Sequence, residues 1–535
     1  MNNMDLNRFS YPSRRTVVFA KNGMAATSIP QAAEAGIEIM RKGGNAIDAI
    51  IAMAMCIAVV EPTSNGIGSD AFAIVYTGGK LYGLNASGWA PSKISAELLR
   101  QKGYTAMPPL GFESVTVPGA PSAWSALNSR FGRLPLSTIA EPAINCAAEG
   151  YPVSPSTSQG WQGAYNSYLQ NFIDDQFKPW FGIFAKDGKT PEAGEIWSDK
   201  NMADTLREIS LTNAESFYRG ELMEKIVKFS DDFGGYFTKE DFTEYQPEWV
   251  EPVSVNYKGY DVYELPPNGQ GITALTALNI ISNFDLDSSR ETVRNYHLQI
   301  EAMKLAFADS LEHLADPKYM RVSVKDMLSK EYAKERSTLI TDRAQIFTHG
   351  EPKSSGTVYL CAADNEGNMV SYIQSNYAGF GSGLCVPETG ISLHNRGNGF
   401  SLIPNHVNEL SPRKRPYHTI IPGFLMKDGN PVGPFGVMGG FMQLQGHMQM
   451  ILNTVDFNMN PQDALDAPRW QWLKENNIDI ESFTNNDIAC KLSDMGHNIC
   501  RNHGFMGRGQ IIWRLDNGTL CGGTEPRADG TVAIW

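Results

Sequence analysis

Ser354-Ser355-Gly356-Thr357-Val358-Tyr359-Leu360-Cys361-Ala362-Ala363-Asp364, two-thirds of the way along the chain, is the stretch on which the fold turns. The polar run before it, from Phe347 to Gly356, reads as an exposed loop. Thr357 to Ala363 holds six apolar residues and no charge, the pattern of a strand buried on both faces. The turn Asp364-Asn365-Glu366-Gly367-Asn368 and a second strand, Met369 to Gln374, complete a hairpin. Gly356 therefore precedes a hydroxyl residue at the very start of a buried strand. If the chain were cut there, Thr357 would be an N-terminal threonine whose own α-amino group can act as base, activating the alcohol without a histidine. On local pattern alone the commoner reading is an ordinary strand residue.

At 535 residues, 42% apolar and 19% charged, the chain has the composition of a globular protein, long enough for several domains or one large integrated core. A net charge of −13 without any basic run argues against nucleic acid as partner. The seven cysteines (Cys56, Cys146, Cys361, Cys385, Cys490, Cys500, Cys521) form no Cys-x-x-Cys and no zinc spacing, an odd, scattered set that suits a reducing compartment. The first residues lack the apolar core of a signal peptide. The longest apolar run, Ile47 to Val60, contains Asp48 and is too short to span a membrane. The expectation is a cytoplasmic protein without membrane contact.

Along the chain, strands in both halves are bracketed by helices. Asn45 can cap a helix over Ala46 to Val60 that is apolar nearly all round. A long helix is expected from Arg290 to Leu314, strands over Ile420 to Met426 and Val432 to Met438, and a helix from Gln443. The loop Thr63 to Asp70 is Gly-rich but runs from helix to strand and lacks a lysine, so packing is the expected role rather than phosphate binding. Gly379 to Gly383 reads as a flexible turn. No repeat or linker appears, and the arrangement suggests two stacked sheets with helices outside. There is no His-Glu-x-x-His, no Gly-x-Ser-x-Gly elbow and no Gly-x-Gly-x-x-Gly after a strand. Neither metal nor cofactor is expected, which leaves Thr357 as the best candidate for chemistry.

Gly43 to Asp48, Val117 to Gly119, Pro266-Pro267, Glu301 to Lys304 and Glu525 to Arg527 resemble, in order, blocks of the γ-glutamyltransferase (glutathione hydrolase) family of N-terminal-nucleophile hydrolases. Thr357, Asp364, Gly367-Asn368, Gly381 to Gly383, Lys414 to Pro416 and Gly439-Gly440 are similar to it at family spacing. The resemblance implies an α+β fold, a four-layer αββα sandwich of two mostly antiparallel sheets. It implies a precursor cut between Gly356 and Thr357 into a large subunit, 1–356, and a small one, 357–535, forming together one integrated domain. Assembly of such heterodimers into a homo-oligomer is left open. Thr357 would be the nucleophile acting on a small-molecule amide through an acyl-enzyme, Gly439 and Gly440 the oxyanion hole, and Ser375 the hydroxyl that bonds the nucleophile.

The substrate end departs from the family. Ser87 stands where an arginine holds the substrate α-carboxylate, Arg396 and Gly399 where a glutamine and an aspartate hold the α-amino group. Tyr377 replaces an asparagine, and His418-Thr419 replace paired serines; Asn395 is kept. Exchanging an acid for Arg396 reverses the local sign, so the expectation is an amidohydrolase of a small carboxylate-bearing amide of the oxamate kind, with Arg396, Asn395, Tyr377, His418, Thr419 and Ser87 around the substrate. Hydrolysis or transfer of γ-glutamyl groups from glutathione-type amides is the alternative.

Overall fold

The computed structural model describes residues 15–347, 356–502 and 506–535, so most of the loop expected before Gly356 lies outside the described residues. The hairpin quoted above is real. Strand Gly356–Asp364 pairs antiparallel with Met369–Tyr377 and, on its other side, with Gly23–Thr27. Its apolar residues sort by the two-residue period of a strand. Val358, Leu360 and Ala362 join a core under helices, whereas Tyr359, Cys361 and Ala363 face a second sheet. A strand with both faces buried explains why the sequence shows a continuous apolar run instead of an alternation.

Two seven-stranded sheets stack face to face. One runs in the order Thr531–Ile534, Gly23–Thr27, Gly356–Asp364, Met369–Tyr377, Asp70–Thr77, Lys80–Ala86 and Glu248–Val250. The other runs Val18–Ala20, Leu520–Thr524, Arg508–Arg514, Asn430–Met438, Gly423–Lys427, Tyr260–Glu264 and Val253–Tyr257. Phe72, Tyr359, Ile373, Phe424 and Ile512 fill the layer between them. Helices Pro30–Arg41 and Ala46–Val60 cover the first sheet; Gly271–Ile281, Val293–His313 and Met442–Val455 cover the second. This is the expected αββα sandwich. Residues 15–347 and 356–535 both supply strands to each sheet, so neither portion owns a core of its own.

Helix Ala46–Val60 is buried on every side, and burying each isoleucine contributes roughly 1.5–3 kcal/mol. Asn45 caps it as expected: its side chain accepts from the Ile47 and Asp48 amides at 2.9 Å each, and Asp48 answers the Asn45 amide at 3.1 Å. The hairpin turn is tied to the same helix end. Asp364 accepts from the amides of Glu366 and Asn368 (3.0 Å each), from Asn368 Nδ2 (2.8 Å) and from the Ala46 amide (2.9 Å).

Two expectations need correction, and one region had no reading. The strand expected from Ile420 begins at Gly423, because Pro422 has no amide to give to a ladder. Gly379 to Gly383 is not flexible: Gly381 and Ser382 are buried, and at φ +78° a side chain on Gly381 would meet the Leu393 carbonyl at 2.4 Å. Residues 470–502, which carry no strong pattern, form a three-stranded sheet (Trp470–Lys474, Asn477–Glu481, Asn498–Asn502) around helix Asn486–Asp494. No helix among the described residues is long and apolar enough to cross a membrane.

Because Asp364 serves four donors from a nearly buried position, Asp364→Ala should cost about 3 kcal/mol, the range for breaking a buried charge-assisted network. Chemical denaturation should show the loss, and a variant as stable as wild type would contradict the tie between turn and helix.

Candidate active site

Thr357 is fully buried at the first turn of its strand. Between Gly356 and Val358 the ladder slips: Gly356 pairs with Tyr377 but Val358 with Gln374, a β-bulge that puts Ser375 and Asn376 opposite Thr357. The bulge ends regular pairing at this point and sets Thr357 Oγ1 3.1 Å from Ser375 Oγ. Ser375 Oγ also accepts the Tyr377 amide at 2.8 Å, which holds the hydroxyl in place. From helix Met442–Val455, which follows a strand of the opposite sheet, Gln443 Nε2 donates to Thr357 Oγ1 at 3.4 Å, while Gln443 Oε1 is anchored by the Ile421 amide at 3.0 Å.

Gly439 and Gly440 form the turn from strand Asn430–Met438 into helix Met442–Val455, with φ of +131° and +60°. These are conformations open to glycine. The sheet ladder ends at Met438 and the helix starts at Met442, so both glycine amides fall outside either ladder. The Gly440 carbonyl is fixed by Gln270 Nε2 at 2.9 Å. Two amides at a strand-to-helix turn suit a developing oxyanion.

A second polar group lies in the same layer. Asp70 opposes Ser375 in the sheet register, so Asp70, Ser375 and Thr357 form a row across three strands. Asp70 Oδ2 accepts from His418 Nε2 at 2.7 Å and lies 3.6 Å from Arg396 Nε. All three are fully buried. Burial alone would raise the Asp70 carboxyl; His418, His394 and Arg396 outweigh it and hold the group well below the ordinary carboxylate range. Burial, then Arg396, pushes His418 down to about 4, against the pull of Asp70. His418 is therefore neutral at pH 7. Its Nδ1 accepts the Ile420 amide at 3.3 Å, which puts the proton on Nε2, facing Asp70.

Arg396 does not stand free, as an open carboxylate anchor would. Its Nη1 donates to Thr419 Oγ1 at 2.7 Å, and its guanidinium stacks 4.7 Å from the Tyr377 ring centre. Tyr377 and Thr419 in turn line a cavity of about 590 Å³, together with Met107, Leu314, Phe400, Leu402, Tyr417 and Phe441 among others. Arg396 thus sits behind the cavity wall, with Nη2 lacking a hydrogen-bond partner among the described residues. Asn395 is spent on structure: Oδ1 accepts the Ala378 amide at 3.1 Å and Nδ2 donates to the Pro109 carbonyl at 2.8 Å. Ser87 does not line the cavity either, and bonds Asn85 Oδ1 at 2.7 Å and Asn268 Oδ1 at 3.3 Å.

The structure therefore brings Thr357, Ser375, Tyr377, Arg396, His418 and Thr419 together. Sequence reasoning missed Asp70, Gln443 and His394. Asp70 closes a loop read as packing only, and Gln443 opens a helix whose register on Thr357 depends on the other sheet. A charged residue opening an otherwise apolar strand was the one available signal for Asp70.

Comparison with known proteins places the chain in a family. The family model described as gamma-glutamyltranspeptidase matches residues 32–535. The structure of cephalosporin acylase from Bacillus halodurans is 56% identical, superposes with a TM-score of 0.97 and is covered to 99%, as is this chain. The glutathione hydrolase-like YwrD proenzyme of Bacillus subtilis is 37% identical over 516 residues, 94% of this chain and 96% of that protein. The oxamate amidohydrolase proenzyme of Klebsiella pneumoniae is 31% identical over 528 residues, 96% of this chain and 98% of that protein. Matched from residue 32 to its last residue and folded as the αββα sandwich, the chain belongs to the γ-glutamyltranspeptidase family of N-terminal-nucleophile hydrolases.

Proposed function

We propose that this chain is a self-cleaving amidohydrolase whose nucleophile is Thr357, acting on an amide with a carboxylate-bearing acyl group. The observation that carries the reading is Thr357 Oγ1, poised 3.1 Å from Ser375 Oγ where regular strand pairing ends. In the precursor, Thr357 Oγ attacks the Gly356 carbonyl carbon, the Gly356–Thr357 C–N bond breaks, and the resulting ester is opened by water. The products are 1–356, ending in the Gly356 carboxylate, and 357–535, beginning with a free amine. An α-amino group titrates near 7.7–8.0, so at neutral pH a useful fraction is unprotonated and can take the Oγ proton. Oγ then adds to the substrate carbonyl, the oxyanion is held by the Gly439 and Gly440 amides, and the amine leaves with the proton. Water releases the acid from the acyl-enzyme. Each oxyanion donor is worth roughly 2.7–4 kcal/mol.

For the acyl group, the support is the wall of Tyr377 and Thr419 backed by Arg396. Thr419 Oγ1 accepts from Arg396, which leaves its own hydrogen to donate into the cavity, where a substrate carboxylate would receive a charge-supported hydrogen bond. Asp70 offsets part of the arginine charge, so the interaction is moderate. The apolar remainder of the cavity suits an acyl chain longer than the two carbons of oxamate, and names of the cephalosporin acylase kind among the relatives fit that view. Glu312 is the single carboxylate among the described residues of the cavity lining, a weak provision for a γ-glutamyl ammonium. The seven free cysteines support a cytoplasmic setting for this chemistry.

On a denaturing gel, wild type should run as two bands and Thr357→Ala as one, with activity down at least about a thousandfold, as for loss of a nucleophile. An uncut, fully active wild type would end the mechanism.

Arg396→Met should raise KM for glutaryl-p-nitroanilide about ten- to hundredfold, the equivalent of 1.5–3 kcal/mol, and leave valeryl-p-nitroanilide nearly unaffected. Because the single change strands Asp70, the double variant Arg396→Met, Asp70→Asn provides the folded reference; equal effects on both substrates would remove the carboxylate from the proposal. Oxamate and γ-glutamyl-p-nitroanilide assayed alongside should be turned over more slowly than the glutaryl amide.

The His418 proton makes stability depend on pH. With its folded pKa lowered from near 6.5 to about 4, the unfolded chain takes up the proton first as pH falls. Its contribution is complete above pH 6.5 and is lost progressively down to about pH 4. The Asp70 contribution, from a depressed carboxyl pKa, is lost only below that window. His418→Asn should therefore flatten the wild-type decline between pH 6.5 and 4 in thermal melts; an unchanged slope would show that another group causes it.

A further inference from the structure

On the far side of the second sheet, helix Val293–His313 carries His297 and Glu301 one turn apart, so both side chains project from the same helix face. Against them lies His497, from the turn between helix Asn486–Asp494 and strand Asn498–Asn502. His297, Glu301 and His497 are 3%, 0% and 2% exposed, and one ligand atom from each lies within 4.8 Å of the other two. We propose that these three residues bind a zinc ion, fastening the long helix to the C-terminal three-stranded unit. The site is separate from the Thr357 centre and stands whether or not the chain is cut.

The surrounding hydrogen bonds prepare the ligands. His297 Nε2 lies 2.7 Å from the Thr341 carbonyl, which can only accept, so the proton is on Nε2 and the Nδ1 lone pair faces the cluster. A backbone carbonyl orienting the outer nitrogen is the usual support of a metal-bound histidine. Glu301 is held the same way, its Oε2 accepting the Gln345 amide at 3.0 Å. His497 Nε2 sits 2.9 Å from His297 Nδ1, while His497 Nδ1, though buried, has no hydrogen-bond partner among the described residues. That ring is not locked by a second bond and can present a lone pair to an ion. When it does, its proton moves to the other ring nitrogen and none is released. Two imidazole nitrogens and one carboxylate oxygen make a donor set that suits zinc, with water as a fourth ligand.

One group opposes the ion. Lys304 Nζ donates to Glu301 Oε1 at 2.6 Å and to Asn476 Oδ1 at 2.8 Å. It supplies the cluster's positive charge when no metal is bound, and it must turn toward Asn476 to admit zinc. Removing it should therefore tighten binding, the reverse of what a purely structural Glu301–Lys304 pair predicts.

The experiment is calorimetric titration of the chelator-stripped, full-length protein with zinc sulfate, with retained metal measured after desalting. Wild type should bind one equivalent and melt at higher temperature with zinc. His497→Gln and His297→Gln should lose binding by more than tenfold, and Lys304→Met should gain at least tenfold. Cobalt(II) added to wild type should give the visible bands of a four-coordinate ion, a readout that depends on no variant. Failure of wild type to take up either metal would overturn the site, as would equal zinc binding by wild type and both histidine variants, or a weaker Lys304→Met.

Discussion

A buried charge, the Asp70 carboxylate, dictates how the candidate site is assembled. Isolated between two sheets it would cost several kcal/mol in lost hydration, so its neighbours have to supply charge and hydrogen bonds. His418 donates a proton without carrying charge, Arg396 supplies the cation, and each is then held by the partner it compensates. The register places Asp70 beside Ser375 and Ser375 beside Thr357, so the compensation that fixes one end of the row also fixes the other. A wall backed by Arg396 is rigid for the same reason: moving the guanidinium would expose two charges to an apolar interior.

The sandwich around that row suits a chain with a break before Thr357. Strand Gly356–Asp364 lies between Gly23–Thr27 and Met369–Tyr377, one neighbour from each side of the break, and its ladder from Val358 onward does not involve the preceding peptide bond. Both sheets mix strands from the two portions, so their interface is the protein's own core, and separating them would expose the whole layer of Phe72, Tyr359, Ile373 and Phe424. Backbone continuity is not what holds the portions together.

Much of the fold was legible because burial leaves a periodic trace. The run Val358 to Ala363 announced a strand covered on both faces, Asn45 announced a helix start, and Gly439-Gly440 marked a turn from strand to helix. The polar residues of the site were legible only in part. Thr357 and Ser375 were read as members of a motif, but Asp70 was read as the end of a packing loop, and Arg396 as a residue around the substrate, where the structure puts it behind Tyr377 and Thr419. Glycines 379 to 383 looked mobile because composition cannot distinguish a glycine chosen for freedom from one chosen for lack of room; here Gly381 is packed against the Leu393 carbonyl.

What the sequence determined by itself was the layer structure, the family blocks and the place of Thr357 at the start of a buried strand, since each is carried by residues close together along the chain. What only the tertiary structure decided was which polar groups meet. Asp70 and His418 are 348 positions apart, and His297 and His497 are 200 apart. No local pattern records such a pairing, because the free energy that selects it is the cost of burying a polar group unpartnered, and that cost exists only once the chain has folded around it.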